Sequence, residues 1–305
     1  MGVEVCEEHP SRLALSGSSN MNRWFQLFIV GMFGMATGAA QPARPAADST
    51  PELVCGYGER LVTFTAGKQR AGLSVDMLAG EIAVDQTVPL RFRVYQSPGD
   101  LPVDDLQVEH EKLMHVIGVR DDLGEFFHIH PQKTSPGLWQ VIHTFTNGGR
   151  YQVWSDIKRR GTVYSFAQTP LVVAGSVRPG LPVVIPQLQD TKRGYQVSLE
   201  CSGELRAGRT NLVQVIVRNS EGAQVGMDFF LGALMHLVLV KDDLSVYLHG
   251  HAENHDKSQP TIYFKPMFPT PGNYKLFAQF RPAKAKLPLD DAILAEFWVN
   301  VAKAE

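Results

Sequence analysis

Cysteine is scarce in this sequence, with three in 305 residues, and neither Cys55 nor Cys201 has a second cysteine or a histidine at metal-ligand spacing, which removes these thiols from any candidate site. Charge of one sign is lacking as well. With 29 Lys+Arg against 31 Asp+Glu there is neither a basic field to hold nucleic acid nor an acidic tail, so nucleic-acid binding is excluded. From Leu73 onward no apolar stripe of helical period appears, which argues against helical domains.

Only one long apolar run stands out, residues 24–36, preceded by Arg23 and followed by the small residues Gly38, Ala39 and Ala40. It is shorter than the ~20 apolar residues of a membrane span and has the basic start and small-residue exit of a secretory signal. Residues 1–40 are therefore read as an N-terminal extension and signal peptide, with translation starting at Met21 and an uncleaved membrane anchor as the rival. The expected compartment is periplasmic or extracellular. Export would leave Cys55 and Cys201 as the remaining thiols, either paired or as one buried and one linker thiol.

Residues 41–66 are rich in proline, alanine and polar residues at their start and are read as a flexible leader. Short apolar runs separated by turn residues follow, at 88–95, 114–120, 126–130, 138–145, 151–157 and 163–173. A Pro-rich linker at 177–186 interrupts them, and the pattern resumes at 195–201, 211–218, 235–241, 246–251, 261–264, 274–280 and 293–301. The spacing predicts an all-β chain with two tandem immunoglobulin-like sandwich domains, residues 67–176 and 187–305.

The halves repeat. Residues 114–130 lie over 235–251 without a gap, and Phe145, Gly149 and Tyr151 match Phe268, Gly272 and Tyr274. Each half thus holds one hairpin turning at an Asp-Asp-Leu sequence, a loop of turn formers. Pairing Arg120 with Glu125 sets His115 opposite His130 with His128 two residues along, all on one face; the same register groups His236, His249 and His251. Opposed Cβ atoms lie about 5 Å apart, which lets three imidazoles converge on one ion. A lone histidine in an apolar strand is usually a hydrogen-bonded core residue. Three in one register, occurring twice and using six of the ten histidines, fit metal ligation better, although a duplicated structural cluster remains the competing reading.

Met114 and Met235 point to the opposite face and read as core. The paired aspartates at 121–122 and 242–243 read as turn residues. Asp156 and Glu253 are candidate fourth ligands, while their counterparts Gln279 and Gln132 carry no charge. His110, His143 and His255 have no partner at useful spacing, and surface or packing roles are expected of them.

The pattern Met-His-x-x-x-Val-x-Asp-Asp-Leu, then His-x-His and a later Gly-x-Tyr, resembles secreted bacterial YtkA-like, heavy-metal-associated proteins. The resemblance covers about 40 residues of each half and implies an immunoglobulin-like fold with an exported metal role, copper before zinc, carried by His115, His128, His130, His236, His249 and His251. The expected function is buffering or delivery of Cu²⁺ or Zn²⁺ with one site per domain and no catalysis. Irving–Williams affinity also favours Cu²⁺. The expected partners are the metal ion and another exported or membrane protein. The alternatives are a sandwich interaction module with structural histidines, and a His₃ metal hydrolase.

Overall fold

The computed structural model describes residues 72–304 other than 181, 182 and 289, and the backbone of two short strands, Leu53–Cys55 and Glu59–Phe64. The signal and anchor readings lie outside the described residues. No helix among the described residues is long and apolar enough to cross a membrane.

Alternating residues decide the layers. In Thr87–Gln96 the side chains of Leu90, Phe92 and Val94 are fully buried while Pro89 and Arg91 between them are exposed, so one face packs inward. Ser74–Leu78, Thr87–Gln96, Leu138–Thr144 and Gln132–Ser135 form one sheet of the first sandwich. The facing sheet runs Phe126–Ile129, Met114–Arg120, Gly149–Arg159, with Thr162–Ala167 and Leu171–Ala174 on the far side. The second sandwich repeats this plan. Gln189–Lys192, Tyr195–Cys201, Val213–Arg218 and Thr261–Phe264 face a sheet of Tyr247–His251, Met235–Lys241, Gly272–Pro282 and Ile293–Val301.

Met114, Val116 and Val153 join the first core, and Met235, Leu237 and Leu276 the second. The Tyr151 hydroxyl donates to the Asn147 carbonyl at 2.9 Å and the Tyr274 hydroxyl to the Thr270 carbonyl at 2.7 Å, the corner tyrosine of immunoglobulin-like sandwiches. Gly149 and Gly272 enter these strands at φ +128° and +134°, where a Cβ would strike the side chain of Arg120 or Lys241. The chain is all-β, with two tandem immunoglobulin-like β-sandwiches.

The flexible-leader reading of residues 41–66 is corrected at its end. Glu59–Phe64 adds a parallel strand beside Thr162–Ala167, and Leu53–Cys55 pairs with it. The polar composition of the first part of that stretch does not extend to Leu61, Val62 and Phe64, which are strand formers. The 177–186 linker is tied down at its start: the Arg178 carbonyl accepts from Arg120 at 2.7 Å, and Gly180 N–H donates to Asp122 at 3.1 Å.

Every residue of Met114–Arg120 is buried, on both faces of its sheet. Its outward residues Ile117 and Val119, with Leu123 and Trp154, pack against Val238, Val240, Tyr247, Phe277 and Trp298 of the second sandwich. The two hairpin-bearing sheets therefore face each other across an apolar interface. Trp154 stacks on Tyr247 at 4.6 Å, and Phe126 stacks on Phe277 at 4.6 Å. In the internal repeat Phe126 matches Tyr247 and Trp154 matches Phe277, so these are one contact made twice with the domains exchanged. Lys275 also crosses, donating to the Leu123 carbonyl at 2.7 Å. Burying each large apolar side chain here contributes about 1.5–3 kcal/mol, enough together to keep the sandwiches docked.

Candidate metal centre

The hairpins adopt the register expected of them. Val116 pairs with Ile129 and Ile117 with His128, which places His115 opposite His130, and His236 pairs directly with His251. In the first triad His128 Nε2 lies 3.0 Å from His115 Nδ1 and 3.2 Å from His130 Nε2. In the second, His236 Nδ1 lies 3.3 Å from His249 Nε2, and the His251 ring centroid is 4.7 and 4.8 Å from those of His236 and His249. One nitrogen of each histidine in a triad lies within 4.8 Å of the others.

The outward nitrogens are held by acceptors. His115 Nε2–H donates to the Glu109 carbonyl at 2.9 Å, and His236 Nε2–H to the Phe230 carbonyl at 2.9 Å. His249 Nδ1–H donates to Asp156 Oδ2 at 3.1 Å, and His128 Nδ1 meets Gln279 Oε1 at 2.8 Å. A ring that donates from one nitrogen carries its lone pair on the other, so the inward nitrogens are the ones free to ligate. His251 Nε2 is buried and has no hydrogen-bond partner among the described residues. The donor set, three converging imidazoles of which two have anchored far nitrogens, fits a transition-metal ion.

Electrostatics disfavour a proton on five of the rings. Burial, and then the neighbouring imidazoles, hold His115 down at about 4 and His130 at about 2, and push His128, His236 and His251 well below the usual range. The neighbour effect comes partly from the opposite sandwich: His249 acts on His115 and on His128.

Each domain carries one triad, and the two triads lie against each other. Ring centroids of the two triads come as close as 5.1 Å between His128 and His249, 5.5 Å between His115 and His249, and 5.7 Å between His128 and His236. The cause is period two: His115 shares its face with Ile117 and Val119, and covering those apolar residues draws the whole face into the interface.

The expectation for Asp156 is corrected. It pairs with His115 in the sheet, yet its carboxylate reaches across to His249 and also accepts from the Ser165 and Tyr247 hydroxyls. It orients the His249 ring and is not among the converging donor atoms. Glu253 pairs with Lys265 at 3.6 Å. His110, expected to sit on the surface or in packing, stacks on His251 at 3.4 Å and lies edge-on to His236 at 5.8 Å. The repeat gives no signal for it, since Leu231 stands at the matching position. His143 packs edge-on to Phe145 and tilted over Phe127. Asp122 binds Arg120 and the Gly124 N–H, a turn role. Cys201 is a free, half-buried thiol.

A family model matches the sequence twice, over residues 68–173 and 190–303. The chain belongs to the family described as Domain of unknown function (DUF8832). The two DUF8832 segments coincide with the two sandwiches, and each contains one complete triad. No curated protein matches the sequence. Solved structures that the DUF8832 chain is similar to include InvD of Yersinia pseudotuberculosis, at 12% identity and TM-score 0.24, covering 75% of this chain and 58% of that one. Invasin, a bacterial integrin-binding protein, shows 11% identity and TM-score 0.24 over 76% and 39% of the two chains. Escherichia coli alpha-2-macroglobulin activated by porcine elastase shows 10% and 0.25 over 78% and 22%. The DUF8832 chain thus spans under two thirds of each of these proteins, and its sandwich architecture rests on the strand pairing described above.

Proposed function

We propose that this chain is an exported protein that binds a divalent transition-metal ion, Cu²⁺ in preference to Zn²⁺, in each of two three-histidine sites buried between its sandwiches. The observation that carries the reading is the anchoring of the rings. In each triad the far nitrogens of two histidines are occupied by acceptors while the near nitrogens converge. His115, His128 and His130 would hold one ion; His236, His249 and His251 would hold the other. Bound there, the ion supplies charge and a rigid cross-link between strands. Buffering or delivery, and not catalysis, is the role proposed. The export part rests on residues 21–40 and on the resemblance to secreted heavy-metal-associated proteins.

One observation favours a second reading, an interaction module with structural histidines. His115 Nδ1 and His128 Nε2 stand at hydrogen-bond distance, 3.0 Å, and one proton between them would satisfy both. Metal analysis of the tag-free protein separates the readings. About two ions per chain, with a rise in Tm on adding Cu²⁺ to the stripped protein, supports metal binding. No ion and no change in Tm supports the structural role.

A further inference from the structure

The triads match in sequence and differ in what stands behind them. Behind His249 is the carboxylate of Asp156, only 4% exposed, which also accepts from the Tyr247 hydroxyl at 2.7 Å and from the Ser165 hydroxyl. Behind His128, in the exchanged position, is the amide of Gln279. The residue there that matches Tyr247 is Phe126. The strand neighbour of Gln279 that matches Ser165 beside Asp156 is Leu294. Neither can donate. Three positions thus change together: a carboxylate with hydroxyl donors on one side, an amide with apolar neighbours on the other. His110, whose counterpart is Leu231, adds a further imidazole against His251.

A carboxylate bonded to the far N–H of a ligating imidazole fixes the ring, makes its lone pair more basic and brings a negative charge toward the ion. An amide fixes the ring and adds no charge. Resting on the metal reading above, we propose that the His236, His249 and His251 site is a composite, completed across the interface by Asp156 of the other sandwich, and that it takes the first ion. Asp156 is a positioning residue for a site in the domain to which it does not belong. The His128 site, backed by Gln279, fills second.

Titration of the metal-free, tag-free full chain with Cu²⁺ tests this, read by calorimetry or by competition with a chelator of known affinity. The wild type is expected to show two unequal events, the tighter lost in His249→Ala and the weaker in His128→Ala. Asp156→Asn should weaken the tighter event by about 10–100-fold and spare the weaker one. Gln279→Glu should strengthen the weaker event by about 10-fold, a gain that structural support alone does not produce. This second variant also carries the test if Asp156→Asn fails to fold. Two equal events, loss of the His128 event in Asp156→Asn, or unchanged affinity in Gln279→Glu would overturn the composite site and leave metal binding standing. Absence of any Cu²⁺ uptake by the wild type would overturn the metal reading itself.

Discussion

The hairpins at 114–130 and 235–251 share turn, register and buried face, yet the loops that lead into them have diverged. Glu109, His110 and Glu111 stand where the second copy has Phe230, Leu231 and Gly232. His110 and Leu231 keep the same left-handed backbone, φ +44° and +49°, so the loop path is retained while its chemistry differs. Groups that build the strands, the triads and the apolar stacks repeat; the polar side chains set against the rings, Asp156 for Gln279 and His110 for Leu231, do not. The difference teaches that the interface, more than either domain, is where the two sites acquire separate properties.

The largest expected effect comes from breaking the face that both triads share. Ile117→Asp sets a carboxylate among Trp154, Val238 and Phe277 and is expected to cost more than about 3 kcal/mol, because an unpaired buried charge is not compensated. Both ions should be lost together, in metal content and in Tm, although the change lies in one domain. Retention of one ion would show that the sites are independent after all.

Trp154→Ala removes one of the two matching stacks and should cost about 3–5 kcal/mol, with Phe277→Ala in the same range. Denaturant melts of the two variants measure how evenly the halves share the load.

Acid sharpens the comparison further. His115 is held neutral down to about 4, whereas an unfolded histidine takes up a proton near 6.5. The unfolded state therefore binds the extra proton first. Stability of the metal-free protein is full above about pH 6.5 and falls as pH drops toward 4. For His115 alone the loss amounts to about 3 kcal/mol, at roughly 1.4 kcal/mol per unit. His115→Gln should flatten that slope in melts across pH 4–7, and an unchanged slope would deny the ring its neutral state.

The smallest effect is expected from Tyr247→Phe, which makes the second hairpin resemble the first at Phe126. Loss of one hydroxyl donor to Asp156 should cost about 1–2 kcal/mol and weaken the tighter Cu²⁺ event a few-fold. Equal stability with and without the hydroxyl would show that the Asp156 carboxylate is satisfied by its other donors.

Much of this was legible in the residues. Period two and the Asp-Asp-Leu turn predict the register, and the repeat predicts two sandwiches, because both signals are local or self-referential. The docking of the sandwiches was half visible: Ile117 and Val119 share a face with His115, so that face needs a cover, but a strand's alternation does not name what covers it. Asp156 stood out as a charged residue beside the hairpin, and the direction of its bond, across the interface, depends on that same unnamed cover. The strand at 59–64 was missed because the composition of residues 41–53 was extended too far. His110 lacked any periodic partner, and its role arises only from three-dimensional proximity.

An interface in which 128 meets 279 while 249 meets 156 is isologous, the kind that a two-fold symmetric dimer of one domain possesses. In such a dimer both halves read one gene, so a carboxylate at one position is a carboxylate at both. Joining the halves through residues 177–186 makes their association intramolecular and independent of concentration. It also releases the two copies from identity. Asp156 behind His249 and Gln279 behind His128 is a difference that no homodimer can write, and fusion is what would permit one protein to hold two ions on unequal terms.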